Sequence, residues 1–407
     1  MTTSQPSGST HPGRRLTGWL LASVVFIGAI APLATDMYVP AFPGVAADLG
    51  TSAFPVQLTL TTFFVGMALG QLIGGPVSDQ RGRRLPLLAS LAVLVAASLA
   101  CAAAPSITVM MLARFVQGFS GGWAMVIARS VVVDLSSGAE LVRAMNLLAG
   151  VGGIAPVVGP LLGAAILQSF GWRTTFLAVA GLAAAMIVVV ALAIPETLPA
   201  ERRHGGGLTR LAASTKAVLS HRGYVGYLIV MAFSMGVTFA YVATSAFVLQ
   251  SMNGLSPILY SVAFATNAVG LMAGTLTAGW LVGRVRTRAV IAVGLFATGA
   301  AGLAILAGAL WWGMPLAISL GGFFLLQTAQ GLVGPNAGAL ASSEVPEHPG
   351  TGSAVLGFLQ WCMAGLIAPL AGLGGDRSAV PMAVIVLVLT AGSLLALLVV
   401  ARPRPTT

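Results

Sequence analysis

Acidic side chains are scarce in this sequence, ten Asp and Glu in 407 residues. One of them, Asp36, stands in the apolar run Ala34-Thr35-Asp36-Met37-Tyr38-Val39-Pro40. A carboxyl withdrawn from water holds its proton more tightly and releases it when water or a cation reaches it. Asp36 is therefore a candidate proton carrier, and no other acid falls in the first three apolar stretches. A second role is open to it, capping a helix end at the outer rim near Pro40. Arg114, inside another apolar stretch, costs several kcal/mol unless it faces a wet cavity or a partner. Either it approaches Asp36 and tunes its proton affinity, or it snorkels toward the outer surface. Arg129, further along, is expected to snorkel to the other surface or pair with Asp134. A third group, Gly75-Pro-Val-Ser-Asp79-Gln-Arg81-Gly82-Arg83-Arg84, sets a carboxylate, a tight glycine turn and an arginine cluster within ten residues, a compact charged latch.

Other familiar spacings carry no chemistry. Gly118-Phe-Ser120-Gly-Gly122 has the form of a nucleophile elbow, but a serine needs a base. His11, His204, His221 and His348 all fall in the tail or in polar loops. Gly150-Val-Gly152-Gly-Ile-Ala155 spells a dinucleotide fingerprint, yet no strand precedes it. Cys101 and Cys362 lie in apolar stretches without metal-ligand spacing. No catalytic residue, metal or cofactor is expected, and no Walker sequence offers ATP as an energy source.

The elements that must position these residues are transmembrane helices. Hydrophobic residues make up 57% of the chain and charged ones 7%, whereas a soluble domain carries about 25% charge. Twelve apolar blocks, near 17–39, 55–78, 85–104, 106–133, 142–168, 172–194, 223–248, 257–283, 289–311, 314–342, 351–373 and 378–401, are each long enough to cross about 30 Å of hydrocarbon. Ten-residue alternating strands, the mark of a membrane barrel, are not present. The net charge of +10 is nearly all arginine and falls on one side of these spans. Arg14, Arg15, the 81–84 cluster, Arg202, Arg203, Arg210, Arg222, Arg284, Arg286, Arg288, Arg402 and Arg404 share that side, and Arg173 and Arg377 the other. By the positive-inside rule both termini are cytoplasmic, and the charge orients the chain rather than binding nucleic acid.

Residues 195–222 form the longest polar interruption and divide the spans into halves at 1–194 and 223–407, with a cytoplasmic linker between. An offset of 204 residues sets Gly50 on Gly254, Ser52 on Ser256, Gly66 on Gly270, Gly70 on Gly274, Gly75 on Gly279 and Arg84 on Arg288. The pattern reads as a tandem duplication of a six-helix unit, an architecture in which rocking of the halves exposes a central site alternately.

The segment from Gly75 to Arg84 resembles the G-x-x-x-D-x-x-G-R-[RK] signature of the major facilitator superfamily. Arg114-Phe-Val-Gln117-Gly118 is similar to the R-x-x-Q-G motif of its drug:proton antiporters. Ala155-Pro156-Val-Val-Gly159-Pro160-Leu-Leu-Gly163-Ala164 resembles the exporter signature G-x-x-x-G-P-x-x-G-G, with Ala155 and Ala164 where the family has glycine. Residues Ala34 to Pro43, Gly334 to Ala337 and Gly352 to Gln360 resemble the bicyclomycin- and chloramphenicol-resistance (Bcr/CflA) branch.

The resemblance implies an all-α integral membrane fold of twelve helices in two pseudo-symmetric halves. It also implies that Gly75, Asp79, Gly82, Arg83 and Arg84, with Asp134 as a further partner of Arg83, latch the halves when the cavity faces outward. The second-half copy has Gly283 in place of the acid, so any latch there is weak. The expected function is proton-coupled export of small amphipathic compounds across the inner membrane, with Asp36 and Arg114 in proton coupling. Uptake or export of a sugar or amino-acid derivative by the same mechanism is the alternative. Candidates for the cavity lining are Tyr38, Gln57, Thr61, Phe64, Asn146, Tyr241, Asn267, Gln327, Asn336, Gln360 and Trp361. The partners expected are a small-molecule substrate, protons and the lipid bilayer, with the protein a monomer.

Overall fold

A backbone in hydrocarbon must satisfy its own N–H and C=O groups, and long apolar runs do so as helices. The computed structural model describes residues 17–136, 138–203, 215–347 and 349–401. Twelve helical spans run through them: α1 Gly18–Asp48, α2 Ala53–Arg81, α3 Arg84–Ala102, α4 Ile107–Leu135, α5 Gly138–Phe170, α6 Trp172–Ala193, α7 Arg222–Met252, α8 Pro257–Leu281, α9 Thr287–Trp311, α10 Leu316–Ser343, α11 Pro349–Ala371 and α12 Val380–Val400. Of the predicted blocks, the first is the one the structure extends most. Its helix does not stop near residue 39 but continues to Asp48 as four pieces, with a short turn over Val39–Ala41 between Ile30–Asp36 and Phe42–Asp48. Pro40 and Pro43 supply no backbone N–H, so they break the hydrogen-bond ladder there without ending the span.

The two halves repeat one packing scheme. In the first, α2 lies along α4, and α3 along α4 and α6; in the second, α8 lies along α10, and α9 along α10 and α12. Glycine permits the closest of these approaches. A Cβ on Gly66 or Gly70 would overlap the carbonyl of Phe115 or Phe119 on α4, and one on Gly118 or Gly122 would overlap that of Phe63 or Met67 on α2. In the second half Gly274 meets the Thr328 carbonyl and Gly331 that of Leu271 in the same way. The repeat reaches the turns, since Gly50 and its counterpart Gly254 both have positive φ, 59° and 71°. It reaches the charges as well: Arg84 donates to the carbonyl of Ala191 at the end of α6, and Arg288 to those of Leu397 and Ala401 at the end of α12.

Between the halves, α2 packs on α11 and α5 on α8. Among the described residues three hydrogen bonds join them, from Gln57 Nε2 to the Ala243 carbonyl (3.0 Å), from Gln250 Nε2 to the Pro40 carbonyl (3.0 Å) and from Ser261 Oγ to the Pro160 carbonyl (2.9 Å). All three lie toward one end of the bundle, where α1 and α7 finish and α2 and α8 begin. That end is opposite the arginine-rich one and is called the far end below.

Candidate functional site

With the seam closed at the far end, a cavity of about 610 Å³ lies between the halves. Its wall runs from Asp36, Phe64, Tyr241 and Phe264 to Arg129, Ser342 and Ser353 near the basic ends of α4, α10 and α11. Asp36 closes the second piece of α1 and is buried, with 7% of its surface exposed. It sits twelve residues before the end of the span, so it is not at the outer rim. Gly159 of α5 lies against it, and a Cβ there would stand 2.7 Å from the Asp36 Cβ. Gly163 accommodates the Met37 carbonyl one turn on, and the carbonyl of Pro160 accepts the bond from Ser261. The small residues Gly159, Pro160 and Gly163 thus seat the broken part of α1 and the second half together.

Arg114 is fully buried beside this region but outside the cavity wall. Its Nη1 donates to the Ala34 carbonyl (3.1 Å) and to Gln117 Oε1 (2.6 Å). Its guanidinium lies 4.2 Å from the Phe63 ring centroid, 4.9 Å from Tyr38 and 5.7 Å from Phe176. Stacking on rings and a backbone carbonyl offset the desolvation of the cation. Among the described residues no ion pair joins Arg114 to Asp36; the contact is one step removed, through the backbone two residues earlier. Arg129 does face the cavity, and Asp134, its expected partner, is taken by Arg83.

Of the predicted lining residues, Phe64, Tyr241, Gln327, Gln360 and Trp361 are in the wall. Phe64 of α2, Phe239 of α7 and Trp361 of α11 form one aromatic cluster across the halves, with centroids 4.5, 5.5 and 6.0 Å apart. The remaining candidates lie elsewhere. Tyr38 is packed on Phe42 and Phe176, its hydroxyl on Thr59 (3.1 Å). Gln57 and Thr61 are held in the seam between α2 and the second half. Asn267 donates to the Tyr241 hydroxyl (2.9 Å) behind the wall, and Asn336 to the Leu332 carbonyl of its own helix (2.8 Å). The side chain of Asn146 is outside the described residues. Selection by polarity passed over Met125, Met145, Met231 and Met235, which supply much of the wall. A sequence signal for them exists only after the cavity-facing side of each helix is known.

At the basic end Arg83 gathers the latch. Its Nη1 reaches Asp79 Oδ1 (2.5 Å) and Ser78 Oγ (2.6 Å), and its Nε reaches Asp134 Oδ2 (3.0 Å), to which Thr197 also donates (2.9 Å). Burial opposes the charge on Arg83, but Asp134 and Asp79 outweigh it and hold its pKa above the ordinary value. Gly82 turns with φ 90° and brings the backbone N–H groups of Arg83 and Arg84 onto Glu196 (2.8 and 3.3 Å). Partial burial pushes the Glu196 carboxyl up, while the N–H groups of Arg83, Leu198 and Arg84 and the nearby Arg203 charge pull it further down, to a net lowered pKa. Gly75 has room around it, with Val126 3.9 Å from a built Cβ. The described ion pairs of this latch all stay within the first half.

Residues 24–369 match the sequence model of the Major Facilitator Superfamily. The chain belongs to that superfamily. It is therefore a multi-pass membrane transporter for small molecules, in a family of transporters rather than enzymes. An uncharacterized MFS-type transporter, YdgK of Bacillus subtilis, is 34% identical over 93% of this chain and 94% of its own length. A bicyclomycin resistance protein homolog of Haemophilus influenzae is 28% identical over 88% of this chain and 89% of its own. The multidrug resistance protein MdtL of Klebsiella pneumoniae is 26% identical over 96% and 97%. These relatives place the chain beside the bicyclomycin-resistance branch of the superfamily's drug:proton antiporters. Among solved structures, a bacterial homolog of the human lysosomal transporter Spinster, inward-facing and unoccupied, superposes with a TM-score of 0.77 at 16% identity, covering 95% of this chain and 98% of that one.

Proposed function

We propose that this transporter is a proton-coupled antiporter that expels small amphipathic compounds from the cytoplasm across the inner membrane. The observation that carries the reading is the cavity itself: apolar and methionine-rich walls, closed at the far end, with the Asp36 carboxyl beside the closure. Apolar walls with few fixed polar groups suit varied amphipathic substrates rather than one densely hydroxylated molecule. With the arginine-rich end in the cytoplasm, as the positive-inside rule has it, the cavity opens inward and both termini are cytoplasmic. The proton enters from outside through Asp36 when the seam opens, and at 100 mV each inward charge contributes about 2.3 kcal/mol before the pH term. The names of the Haemophilus and Klebsiella relatives support drugs as the cargo.

The test is a pair of cells, one lacking the gene and one overexpressing it, loaded with ethidium or chloramphenicol. Faster, energy-dependent loss from the overexpressing cells is expected, abolished by a protonophore. Loss that survives the protonophore, or equal retention in the two strains, would refute the reading; sugar- or amino-acid-dependent fluxes in its place would favour a metabolite permease.

A further inference from the structure

We infer that Arg129 is an oxyanion-recognising subsite of the cavity, so that the preferred cargo is an amphipathic zwitterion or anion bearing a carboxylate or similar group. The inference rests on the export reading only for the word cargo; the subsite is a property of the cavity.

Two charged side chains line the cavity among the described residues, Asp36 on α1 and Arg129 on α4. They stand at different depths. Asp36 is beside the far-end closure, whereas Arg129 is within two turns of Leu135, where α4 ends on the basic side. Among the described residues Arg129 forms no ion pair and no hydrogen bond. The acid closest to it along α4, Asp134, is occupied by Arg83 and Thr197. A guanidinium at membrane depth without a carboxylate is costly, and water in the open cavity solvates it only while the cavity is empty. An occupant displaces that water and must replace its hydrogen bonds. A planar guanidinium is matched best by a carboxylate or sulfonate, which it can hold with two parallel bonds.

The space between the two charges is apolar. Met125 lies one turn from Arg129 toward the closed end, and Met231, Met235 and Phe239 of α7 also line the wall. Such a wall takes an aromatic or aliphatic body of varied shape. A lone cation in this cavity meets Asp36 but is repelled by Arg129, and a neutral molecule leaves Arg129 desolvated without a partner. A zwitterion with its ammonium toward Asp36 and its oxyanion toward Arg129 satisfies both.

The experiment uses the purified full-length protein in a maltoside detergent, which has no phosphate to compete for Arg129. Norfloxacin, a zwitterion with a free carboxylate, is compared with its ethyl ester by isothermal titration. Wild type is expected to bind the acid about tenfold more tightly than the ester, the effect of one charge-assisted contact. Arg129→Gln should abolish the preference for the acid while the ester binds no more weakly than to wild type, which also shows that the variant is folded. Arg129→Lys should retain part of the preference. Equal binding of acid and ester to wild type, absence of acid binding, or equal weakening of both by Arg129→Gln would overturn the inference. Export is read separately, from protonophore-sensitive norfloxacin loss by cells that lack or overexpress the protein. If wild type expels nothing, the export reading fails, while the preference for the acid stands or falls on the titration.

Discussion

Asp36 is a buried carboxyl that lines a cavity with no basic side chain paired to it among the described residues, and its backbone is fixed on one side by Gly159. Such a group can gain and lose a proton without breaking an ion pair. Asp36→Asn is expected to leave the binding of a neutral substrate such as chloramphenicol intact and to reduce its accumulation in everted vesicles under an imposed proton gradient to the level of equilibration. Uphill accumulation by that variant would assign coupling to another residue. Asp79 poses a different balance, because its side chain is 52% exposed beside Arg83. An exposed pair of this kind adds no more than about 1 kcal/mol. Asp79→Asn should therefore melt close to wild type yet slow transport, since the latch matters to the balance between two states rather than to the fold. A large loss of thermal stability would make it a structural brace instead. The residue types of both sites were legible in the sequence, as was the Arg83 to Asp134 pair through the family likeness. The position of Asp36 was not: an apolar count ends the first span near Pro40, and nothing in a count shows that two prolines bend a helix there without ending it.

Helix against helix, glycine decides how close two spans come. Gly118 and Gly122 on α4 and Gly66 and Gly70 on α2 leave no room for a methyl group between backbones. Gly118→Ala is expected to destabilise the protein by about 1–3 kcal/mol through overpacking, seen as a lower melting temperature and reduced yield, with Gly75→Ala a near-neutral control. Gly372, where α11 ends, has another use. A Cβ there would overlap Gln57 Oε1, which is buried and has no partner among the described residues, while Gln57 Nε2 bonds to α7. Gly372→Ala must push Gln57 out of its seat in the seam. The loss of about 1 kcal/mol of hydrogen bonding should raise the fraction open at the far end about fivefold. A cysteine at Thr238, in protein with Cys101 and Cys362 changed to Ser, would report this through labelling by an impermeant maleimide from the far side; unchanged labelling would exclude the seat as a gate. Of the close-packed glycines, Gly66 and Gly70 were visible as matches between the halves at a fixed offset. Gln57 was noticed only as a polar residue, because contacts across a pseudo-two-fold seam leave no period along the chain.

For the molecule as a whole, the arginine distribution predicts an orientation. Reporter fusions after residue 210 should read as cytoplasmic, and fusions near Asn253 as external; the reverse would turn the cavity to face outward. The count of spans and their grouping in two sets of six follow from apolar length and repeat, because lipid leaves a chain few alternatives to a helix. The state of the seam, closed at the far end, could not be read in this way, since both states bury much the same residues and differ only in which ends of the halves touch. The four methionines of the cavity wall carry a consequence of another kind. Each thioether can be oxidised to a sulfoxide, which is polar and chiral. A cell under oxidative attack would thus find the walls of this chamber turning hydrophilic one side chain at a time, and a methionine sulfoxide reductase would restore its appetite for apolar cargo without any new synthesis of the protein.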